Sequence, residues 1–371
     1  MCAAYDPSGR RIRVLIADDS AFMRKLIREV LSRDPAIEVV ATASDGVDAV
    51  NKVLELDPDV VVLDVQMPRM NGLEALKEIM KYKPKPVIIF SAFTDRDADL
   101  SLQALRLGAV DIIPKPGGPI SLDISEVADQ LLLKVKTAAR SNLYALRQHS
   151  SLMLQRHRHF RLRVRRAAEE FPDVAVAIAA STGGPSAVAR VLSALPKDLP
   201  AAVLIVQHMP AFFTKRFAEH LDKLSELTVK EAENGEKLRM GTVYVAPGDY
   251  HMLVVQGVDG APQIKIHKGP KINNVRPSAD PLFQSVARVF GRNAVAVVLT
   301  GLGSDGAEGV RYIKRYGGYV IAQDKETSVV FGMPRAAIET GCVDTILPLH
   351  QIASEIERVV RVRYLSSKAR I

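Results

Sequence analysis

Cysteine is scarce in this sequence: its 371 residues contain only two, Cys2 and Cys342, at opposite ends of the chain. Cysteines so far apart form neither a disulfide framework nor the spacing of a metal site, and we expect incidental thiols. Long hydrophobic runs are also missing, since no apolar stretch approaches the about 20 residues that span a bilayer. The N-terminus lacks the apolar core of a signal peptide. We therefore expect a cytoplasmic protein without membrane insertion.

Acidic residues are absent from residues 134–166, a stretch that carries ten lysines and arginines. This stretch accounts for the whole formal net charge of +8. A basic run is more often a solvated helix or linker than a binding surface, and no recognition helix or RNA-binding motif accompanies it. We interpret residues 148–166, which include His149, His157 and His159, as an exposed linker. Binding of an acidic partner is the less favoured alternative, and we expect no nucleic acid partner.

Short apolar strands alternate with helices over the first 120 residues. The predicted strands cover residues 13–17, 37–43, 60–63, 87–90 and 111–113. Five such βα units imply a parallel sheet with helices on both faces. The pattern of the last helix continues from residue 124 to about 146. At about 150 residues per domain, the chain length predicts two domains and a connection.

Polar residues stand where four of these strands end: Asp18, Asp19, Asp64, Ser91 and Lys115. The carboxyl ends of parallel strands lie along one edge of a sheet, so these side chains can converge. Three crowded carboxylates repel one another unless a hard divalent cation such as Mg²⁺ lies among them. Each residue taken singly is as well explained as an ordinary loop or cap residue. The combination favours a metal and phosphoryl site.

Four motifs carry these residues, at positions 15–20, 61–72, 90–92 and 114–116: Leu-Ile-Ala-Asp-Asp-Ser, Val-Val-Leu-Asp-Val-Gln-Met-Pro-Arg-Met-Asn-Gly, Phe-Ser-Ala and Pro-Lys-Pro. Through them, residues 12 to about 120 resemble the response-regulator receiver domains, which have a flavodoxin-like (βα)5 fold. The resemblance implies that a histidine kinase of a chemosensory array phosphorylates Asp64. It also implies that Mg²⁺ is held by Asp18, Asp19 and Asp64, that Ser91 binds a phosphoryl oxygen, and that Lys115 pairs with the acyl phosphate.

Three long apolar strands in the second half end at Ser181, at His208 and shortly before Asp305. Taken alone, the turn at Ser181 is equally suited to a nucleophile and to a phosphate-binding loop, and a plain tight turn is a third possibility. If the strands are parallel neighbours, a hydroxyl, an imidazole and an acid share one edge, as an acyl-transfer triad requires. The backbone N–H groups of Thr182, Gly183 and Gly184 would then stabilise an oxyanion.

Shorter strands lie between the second and third of these long strands, at residues 227–232, 242–246, 251–256 and 263–267. The glycine turns between them are typical of antiparallel hairpins, which we predict here. His251 and His267 lie in these strands without a pattern of metal ligands, so we expect surface or core histidines. Arg276, in the polar loop before the next helix, could clamp a substrate carboxylate or be solvated.

A second set of motifs runs from residue 174 to about 347: Ala-Ala-Ser-Thr-Gly-Gly-Pro, Val-Gln-His-Met-Pro, Val-Tyr-Val-Ala-Pro-Gly-Asp, Arg-Pro-Ser-Ala-Asp and Leu-Thr-Gly-Leu-Gly-Ser-Asp-Gly. This region is similar to the catalytic domain of the chemotaxis-type protein-glutamate methylesterases. The resemblance implies Ser181 as nucleophile, His208 as general base and Asp305 as orienting acid. It also implies that the substrates are glutamate methyl esters on chemoreceptors, that receptor glutamines are deamidated as a side activity, and that ester hydrolysis needs no cofactor.

We predict a receiver domain at residues 1–123, a helical and basic linker at 124–172, and a methylesterase catalytic domain at 173–371. The fold class predicted for the catalytic domain is a doubly wound α/β fold with a mainly parallel sheet and an antiparallel hairpin region. The predicted function is a phosphorylation-activated carboxylic ester hydrolase, in which the unphosphorylated receiver covers the catalytic edge and phosphorylation of Asp64 opens it.

Two other functional classes remain open on the sequence alone. A DNA-binding response regulator would carry a helix-turn-helix after the linker, which the strand-rich and glycine-punctuated second half does not favour. A catalytically silent adaptor that docks on receptors would share every motif with the enzyme. Only an assay of methanol release separates the adaptor from the esterase.

Overall fold

Two parallel sheets organise the chain, one in each of the units into which it divides, residues 1–150 and 151–371. The computed structural model describes residues 10–92, 94–116, 124–147 and 171–369. Cys2 and the predicted basic linker at 148–166, with its three histidines, lie outside the described residues, so the linker and the three domain bounds stay predictions. Among the described helices, none has the length and apolar character needed to cross a membrane.

The sheet of the first unit has five parallel strands in the order β2-β1-β3-β4-β5. Strands β3 and β4 are buried along their whole length. The order reverses between β1 and β3, which opens a crevice at their carboxyl ends. The elements are β1 Ile12–Ala17, α1 Ala21–Leu31, β2 Ile37–Ala43, α2 Gly46–Leu56, β3 Val60–Asp64, α3 Gly72–Tyr82, β4 Val87–Ser91, α4 Asp95–Arg106, β5 Asp111–Pro114, α5 Ile124–Ala138 and a short helix α6 at 143–147.

Helix α5, at the start of the predicted linker, packs against the first unit. Its apolar side chains Val127, Leu131 and Val135 are buried, and the helix contacts α1 and β5. Lys134 Nζ lies 2.7 Å from the Asp111 carboxylate at the start of β5. The helix predicted from 124 to about 146 is therefore confirmed as far as residue 138, but it is interrupted at 139–142 before α6 begins.

The sheet of the second unit has seven parallel strands in the order β14-β13-β12-β6-β7-β9-β8, and β10 and β11 form a separate antiparallel hairpin. The predicted (βα)5 unit and the mainly parallel second sheet with a hairpin region are confirmed. The elements are β6 Ala175–Ala180, α7 Gly184–Leu192, β7 Ala202–Gln207, α8 Phe213–Leu224, β8 Thr228–Glu231, β9 Thr242–Val245, β10 His251–Gln256, β11 Pro262–His267, α9 Ala279–Phe290, η1 Gly291–Asn293, β12 Ala294–Val298, α10 Ala307–Arg315, β13 Tyr319–Gln323, α11 Met333–Glu339, β14 Thr345–Leu347 and α12 Leu349–Lys368.

The prediction of antiparallel hairpins is right for β10 and β11 and wrong for β8 and β9. These two strands are parallel to each other, and β9 is parallel to β7 in the main sheet. The segment between them does not close a tight turn, because it pairs with β11 instead. Gly235 N–H donates to the Ile264 carbonyl at 2.8 Å, and Leu238 N–H donates to the Pro262 carbonyl at 2.9 Å. This excursion returns the chain to the edge at which β8 began, so β9 runs in the same direction.

The three central strands β6, β7 and β12 are buried at every position. Their continuous apolar sequences suit a sheet that helices cover on both faces. Alternate alanines of β6 belong to the same core cluster as Phe283, on the inner face of α9. Since the three strands are adjacent and parallel, the residues that follow them meet at one edge of the sheet.

Candidate functional site

One candidate site of the first unit lies at the carboxyl ends of its strands. Lys115 Nζ lies 2.8 Å from Asp18 Oδ2 and 2.8 Å from Asp64 Oδ2. Asp19 completes a group of three carboxylates whose oxygens lie within 4.8 Å of one another. Ser91 is buried beside them, at the end of β4, and its carbonyl accepts a 2.7 Å hydrogen bond from the Lys115 N–H. The structure therefore brings together all five residues that the sequence places at strand ends.

Burial and the mutual contacts of Asp18, Asp64 and Lys115 govern the electrostatics of this cluster. Burial raises the pKa of Asp64 to about 6, and repulsion by Asp18 adds to the increase, while the Lys115 ammonium opposes it. The pKa of Lys115 is raised, since its two carboxylate partners outweigh the effect of burial. One ammonium thus faces three carboxylates, and a divalent cation would reduce the remaining repulsion.

A second site begins with Ser181 and His208, which follow the adjacent strands β6 and β7. Ala180 and Gln207 are paired at the end of these strands, and His208 N–H donates to the Ala180 carbonyl at 3.0 Å. The Gln207 amide nitrogen donates to the carbonyls of Ser181 at 3.0 Å and of His208 at 3.2 Å. The backbones of the candidate nucleophile and base are therefore held by one side chain.

Asp305 pairs with His208, its Oδ2 lying 2.8 Å from His208 Nε2. The aspartate is 2% exposed and His208 is partly buried. Because Nε2 faces the carboxylate, Nδ1 is the ring nitrogen left for proton transfer. Within the described residues the contact with Asp305 is the only hydrogen bond of the His208 ring, so a Ser181–His208 hydrogen bond stays a prediction. Such contacts often tighten only when substrate binds.

Asp305 also receives donors from the N-terminus of helix α9. Ser278 Oγ donates to Oδ1 at 2.5 Å, and the Ala279 N–H donates to Oδ2 at 2.6 Å. The amide of Asn273 donates to Oδ1 at 3.0 Å. Burial acts to raise the pKa of Asp305, but His208 and these donors outweigh it, so its pKa lies below the ordinary value. The acid is therefore held ionised beside the imidazole.

The turn after Ser181 is close-packed. Gly183 has a φ of +75°, in the left-handed region that favours glycine. A Cβ on Gly184 would lie 2.2 Å from Gln207 Oε1, so only glycine fits there. The Gly184 N–H donates to the Ser181 carbonyl at 2.7 Å. This hydrogen bond occupies the Gly184 donor, and the assignment of backbone N–H groups at residues 182–184 to an oxyanion site stays a prediction.

Arg276 forms its hydrogen bonds with neighbouring loop residues of the second unit. Its Nε donates to Asp249 Oδ1 at 2.9 Å, its Nη2 contacts the same carboxylate, and its Nη1 donates to the Gly269 carbonyl at 2.6 Å. The guanidinium therefore anchors the segment before α9 to the turn before β10. A contact of Arg276 with substrate stays a prediction, and these partners favour a structural role.

A cleft of about 280 Å³ adjoins the pair of His208 and Asp305. Both residues line it, together with side chains of the loops around Asn273 and Leu302. An imidazole activated by a buried carboxylate, at the edge of a cleft and beside a serine turn, is suited to acyl transfer.

Comparison with known proteins relates both sites to one family. The family model for CheB methylesterase matches residues 176–356, and the model for the response regulator receiver domain matches residues 14–124. A relative from Pyrococcus horikoshii, called protein-glutamate methylesterase/protein-glutamine glutaminase, is 49% identical over 358 residues, with 95% of each chain covered. A relative of the same name from Thermotoga maritima is 45% identical over 354 residues, with 95% of this chain and 99% of the relative covered. The chain belongs to the protein-glutamate methylesterase/protein-glutamine glutaminase family.

The predicted family and the enzyme class, a carboxylic ester hydrolase with a glutaminase activity, are thereby confirmed. A methylesterase/glutaminase of Archaeoglobus fulgidus is 46% identical over 354 residues, with 95% of this chain and 99% of the relative covered. Among solved structures, the chain is similar to the crystal structure of the Thermotoga maritima CheB methylesterase catalytic domain, with 46% identity, 50% of this chain and 98% of that chain covered, and a TM-score of 0.49.

The receiver's carboxylate cluster fits the Mg²⁺ on which receiver phosphorylation usually depends. Asp18 and Asp64 are buried, Asp19 is exposed, and their oxygens are close enough to share one ion. Burial raises the pKa of Asp64 to about 6, and a cation bound among the carboxylates would favour its ionised form. Hard oxygen ligands of this type suit Mg²⁺. The three carboxylates are thus close enough together to suit such an ion, and their role as its ligands stays a prediction.

Sequence reasoning missed four residues around the triad: Gln207, Asn273, Ser278 and Asp280. Ser278 and Asp280 stand in the Arg-Pro-Ser-Ala-Asp motif, where we singled out only the arginine. The signal available for Ser278 was its place before a helix, which is typical of an N-cap. Asn273 has φ +53 and the next residue, Asn274, has φ +61, so the Asn-Asn pair could have indicated a left-handed turn.

Proposed function

We propose that this methylesterase hydrolyses glutamate methyl esters on chemoreceptors through Ser181, His208 and Asp305, and deamidates receptor glutamines at the same site. The observation that carries the proposal is the 2.8 Å contact between His208 and the buried Asp305, beside the strand end that bears Ser181. The proposal includes a cytoplasmic location and a histidine kinase of a chemosensory array as phosphodonor.

The chemistry follows from the two ring nitrogens of His208. Nε2 faces Asp305, so Nδ1 takes the proton of Ser181 as its oxygen attacks the ester carbonyl. The tetrahedral oxyanion is stabilised by backbone N–H groups of the turn at Thr182 and Gly183. The imidazolium returns the proton to the leaving methoxide, which departs as methanol and leaves an acyl-enzyme. Water, deprotonated by His208, then cleaves the acyl-enzyme to a glutamate carboxylate and free Ser181.

In the receiver, we propose that Asp64 accepts the phosphoryl group. Asp18, Asp19 and Asp64 would hold Mg²⁺, which neutralises phosphoryl charge when bound. Lys115 then pairs with the acyl phosphate, and the Ser91 hydroxyl binds one of its oxygens. Phosphorylation shifts the population of the chain towards a hydrolytically competent arrangement.

The test is methanol release from methylated receptor membranes by the full chain, with and without a small-molecule phosphodonor. We expect Ser181→Ala to reduce release at least 10³-fold. Ser193→Ala, at the opposite end of helix α7, is the matched control and should match the unmodified chain. Asp64→Asn should retain basal release and lose the response to phosphodonor. Full activity of Ser181→Ala would refute the triad.

A further inference from the structure

Asp280 is a buried carboxylate that the proposed reaction does not use. It lies in the first turn of α9 and is 6% exposed. Its Oδ1 accepts the Gly309 N–H of helix α10 at 2.6 Å, and its Oδ2 accepts the Asn273 amide at 2.8 Å. A buried charge is costly and is retained where its contacts serve a purpose.

Asn273 connects this carboxylate to the triad. Its Nδ2 donates to Asp280 Oδ2 at 2.8 Å and to Asp305 Oδ1 at 3.0 Å. Asn273 is itself exposed and lines the same cleft as His208. A single amide nitrogen at the wall of the cleft therefore bridges two buried acids, one of which orients the imidazole.

We infer that Asp280 and Asn273 are positioning residues, which form a hydrogen-bonded chain with Asp305 and thereby set its orientation and the basicity of His208. This inference rests on the proposed function, since it assigns the chain of contacts to the triad. The ionised Asp280 adds negative charge behind Asp305 and so stabilises the imidazolium of His208. Asn273 keeps the two carboxylates apart and shares its protons between them.

The charges around Asp280 support this arrangement. Burial raises its pKa to about 6, repulsion by Asp305 adds to this, and the donors Gly309 and Asn273 oppose it. Strands β6 and β12, which pack on α9, contain only alanine, valine and isoleucine. From β10, His251 accepts the Ser278 N–H through Nδ1, and burial lowers the pKa of this histidine.

The remaining charged groups near Asp280 are turned outward. On α10, Glu308 and Arg311 are more than half exposed and pair with each other. Arg276, in the loop before α9, pairs with Asp249. Within the part of the chain that the structure describes, the ionisable groups that face Asp280 are therefore Asp305 and, through it, His208. A proton on Asp280 should be sensed at the His208 ring.

The direct readout is the NMR titration of the His208 ring in the full chain, labelled at histidine and assigned with His208→Gln. Because Asp280 is connected to the ring through Asp305, the His208 signals should show an inflection near pH 6 that reports the proton on Asp280. Asp280→Asn should remove this inflection. In the methanol-release assay, the same substitution should move the acid limb of the kcat/KM profile to lower pH.

Asn273→Gly is the second variant, because glycine adopts the left-handed backbone of this position without strain. It removes the donor from the ionised Asp280, so the inflection should move to higher pH by about 1 unit. This variant leaves the core intact, which keeps the inference testable if Asp280→Asn fails to fold. Asn274→Gly, left-handed and exposed in the same loop, should leave the titration curve unchanged.

Glu308→Gln is the charge control, since it removes one exposed carboxylate next to Gly309 and should move neither the titration nor the pH profile. A purely structural role would lower kcat at every pH without moving the acid limb. The inference is overturned if the His208 signals of the unmodified chain show no inflection near pH 6, or if the inflection survives in Asp280→Asn. Full activity of Ser181→Ala would instead refute the proposed function, whatever the NMR titration shows.

Discussion

Gly184 is a position where one added methyl group should disturb the edge of the sheet that carries Ser181 and His208. In Gly184→Ala the new Cβ would lie 2.2 Å from Gln207 Oε1 and 2.8 Å from the Cβ of Ala180. Real Cβ atoms do not approach other atoms so closely, so the Gln207 amide has to move. That amide donates to the carbonyls of Ser181 and His208. The substitution should therefore shift Ser181 relative to His208.

The expected effect of Gly184→Ala has two parts, a loss of local stability and a loss of reaction rate. Overpacking in a well-packed core costs about 1–3 kcal/mol of local stability, and each displaced hydrogen bond adds about 1 kcal/mol. A misplacement of about 1 Å between reacting groups lowers the rate about 10²-fold. We expect methanol release to fall by about this factor, and amide hydrogen exchange in the β6 and β7 peptides to become faster. Exchange in β1 and β3 of the other unit should not change.

A second substitution tests the cause. Gln207→Ala removes the clashing oxygen, which is buried without a hydrogen-bond partner among the described residues. If the clash with Gln207 is the cause, the free-energy penalty of Gly184→Ala should be smaller in the Gln207→Ala background. The coupling energy between the two substitutions should be about 1 kcal/mol or more. Additive penalties, or activity of Gly184→Ala within twofold of the unmodified chain, would refute the reasoning.

Two further substitutions test packing and charge elsewhere in the catalytic unit. Phe283→Ala, at a fully buried position of α9, should lower the free energy of unfolding by about 3–5 kcal/mol. Urea unfolding monitored by hydrogen exchange of the α9 peptide would measure this loss. A loss under about 1 kcal/mol would contradict the assignment of Phe283 to the core. Burial acts to raise the pKa of Asp249, but Lys268 and Arg276 outweigh it and the pKa is lowered. The support that Asp249 gives to the 268–276 loop is therefore present above its ordinary pKa and lost as pH falls through the lowered value. Asp249→Asn should make amide hydrogen exchange in this loop fast at neutral pH as well. If the loop stays protected from exchange in this variant, the contacts of Asp249 with Lys268 and Arg276 do not hold it.

The strand ends of both units were predictable because local rules agree there with the fold. Continuous apolar runs predict buried parallel strands, and parallel neighbours place the residues that follow them at one edge. This argument brought together Asp18, Asp64 and Lys115 in one unit, and His208 and Asp305 in the other. No knowledge of side-chain packing was needed for it.

The direction of β8 and β9 could not be predicted from turn residues, because the Asn-Gly sequence between them forms contacts with β11 that lie almost 30 residues away. The bridge that Asn273 forms could not be predicted for a similar reason. Its two acceptors, Asp280 and Asp305, are brought together by the packing of α9 on α10. Nothing in the local sequence indicates that these two carboxylates lie close to each other. Arg276 drew attention as a charged residue in a polar loop, yet its partner Asp249 satisfies it.

The contacts of Asp305 with helix α9 have an evolutionary consequence. The carboxylate that pairs with His208 also accepts the Ala279 N–H and lies 3.4 Å from the Asp280 nitrogen, so it caps a helix that belongs to the core. Many catalytic residues can be lost while the fold gains stability, because function strains the site. Here the loss of Asp305 would leave helix donors without an acceptor. A lineage that drifts towards a silent receptor-binding protein should therefore lose Ser181 first and retain Asp305 as a structural residue.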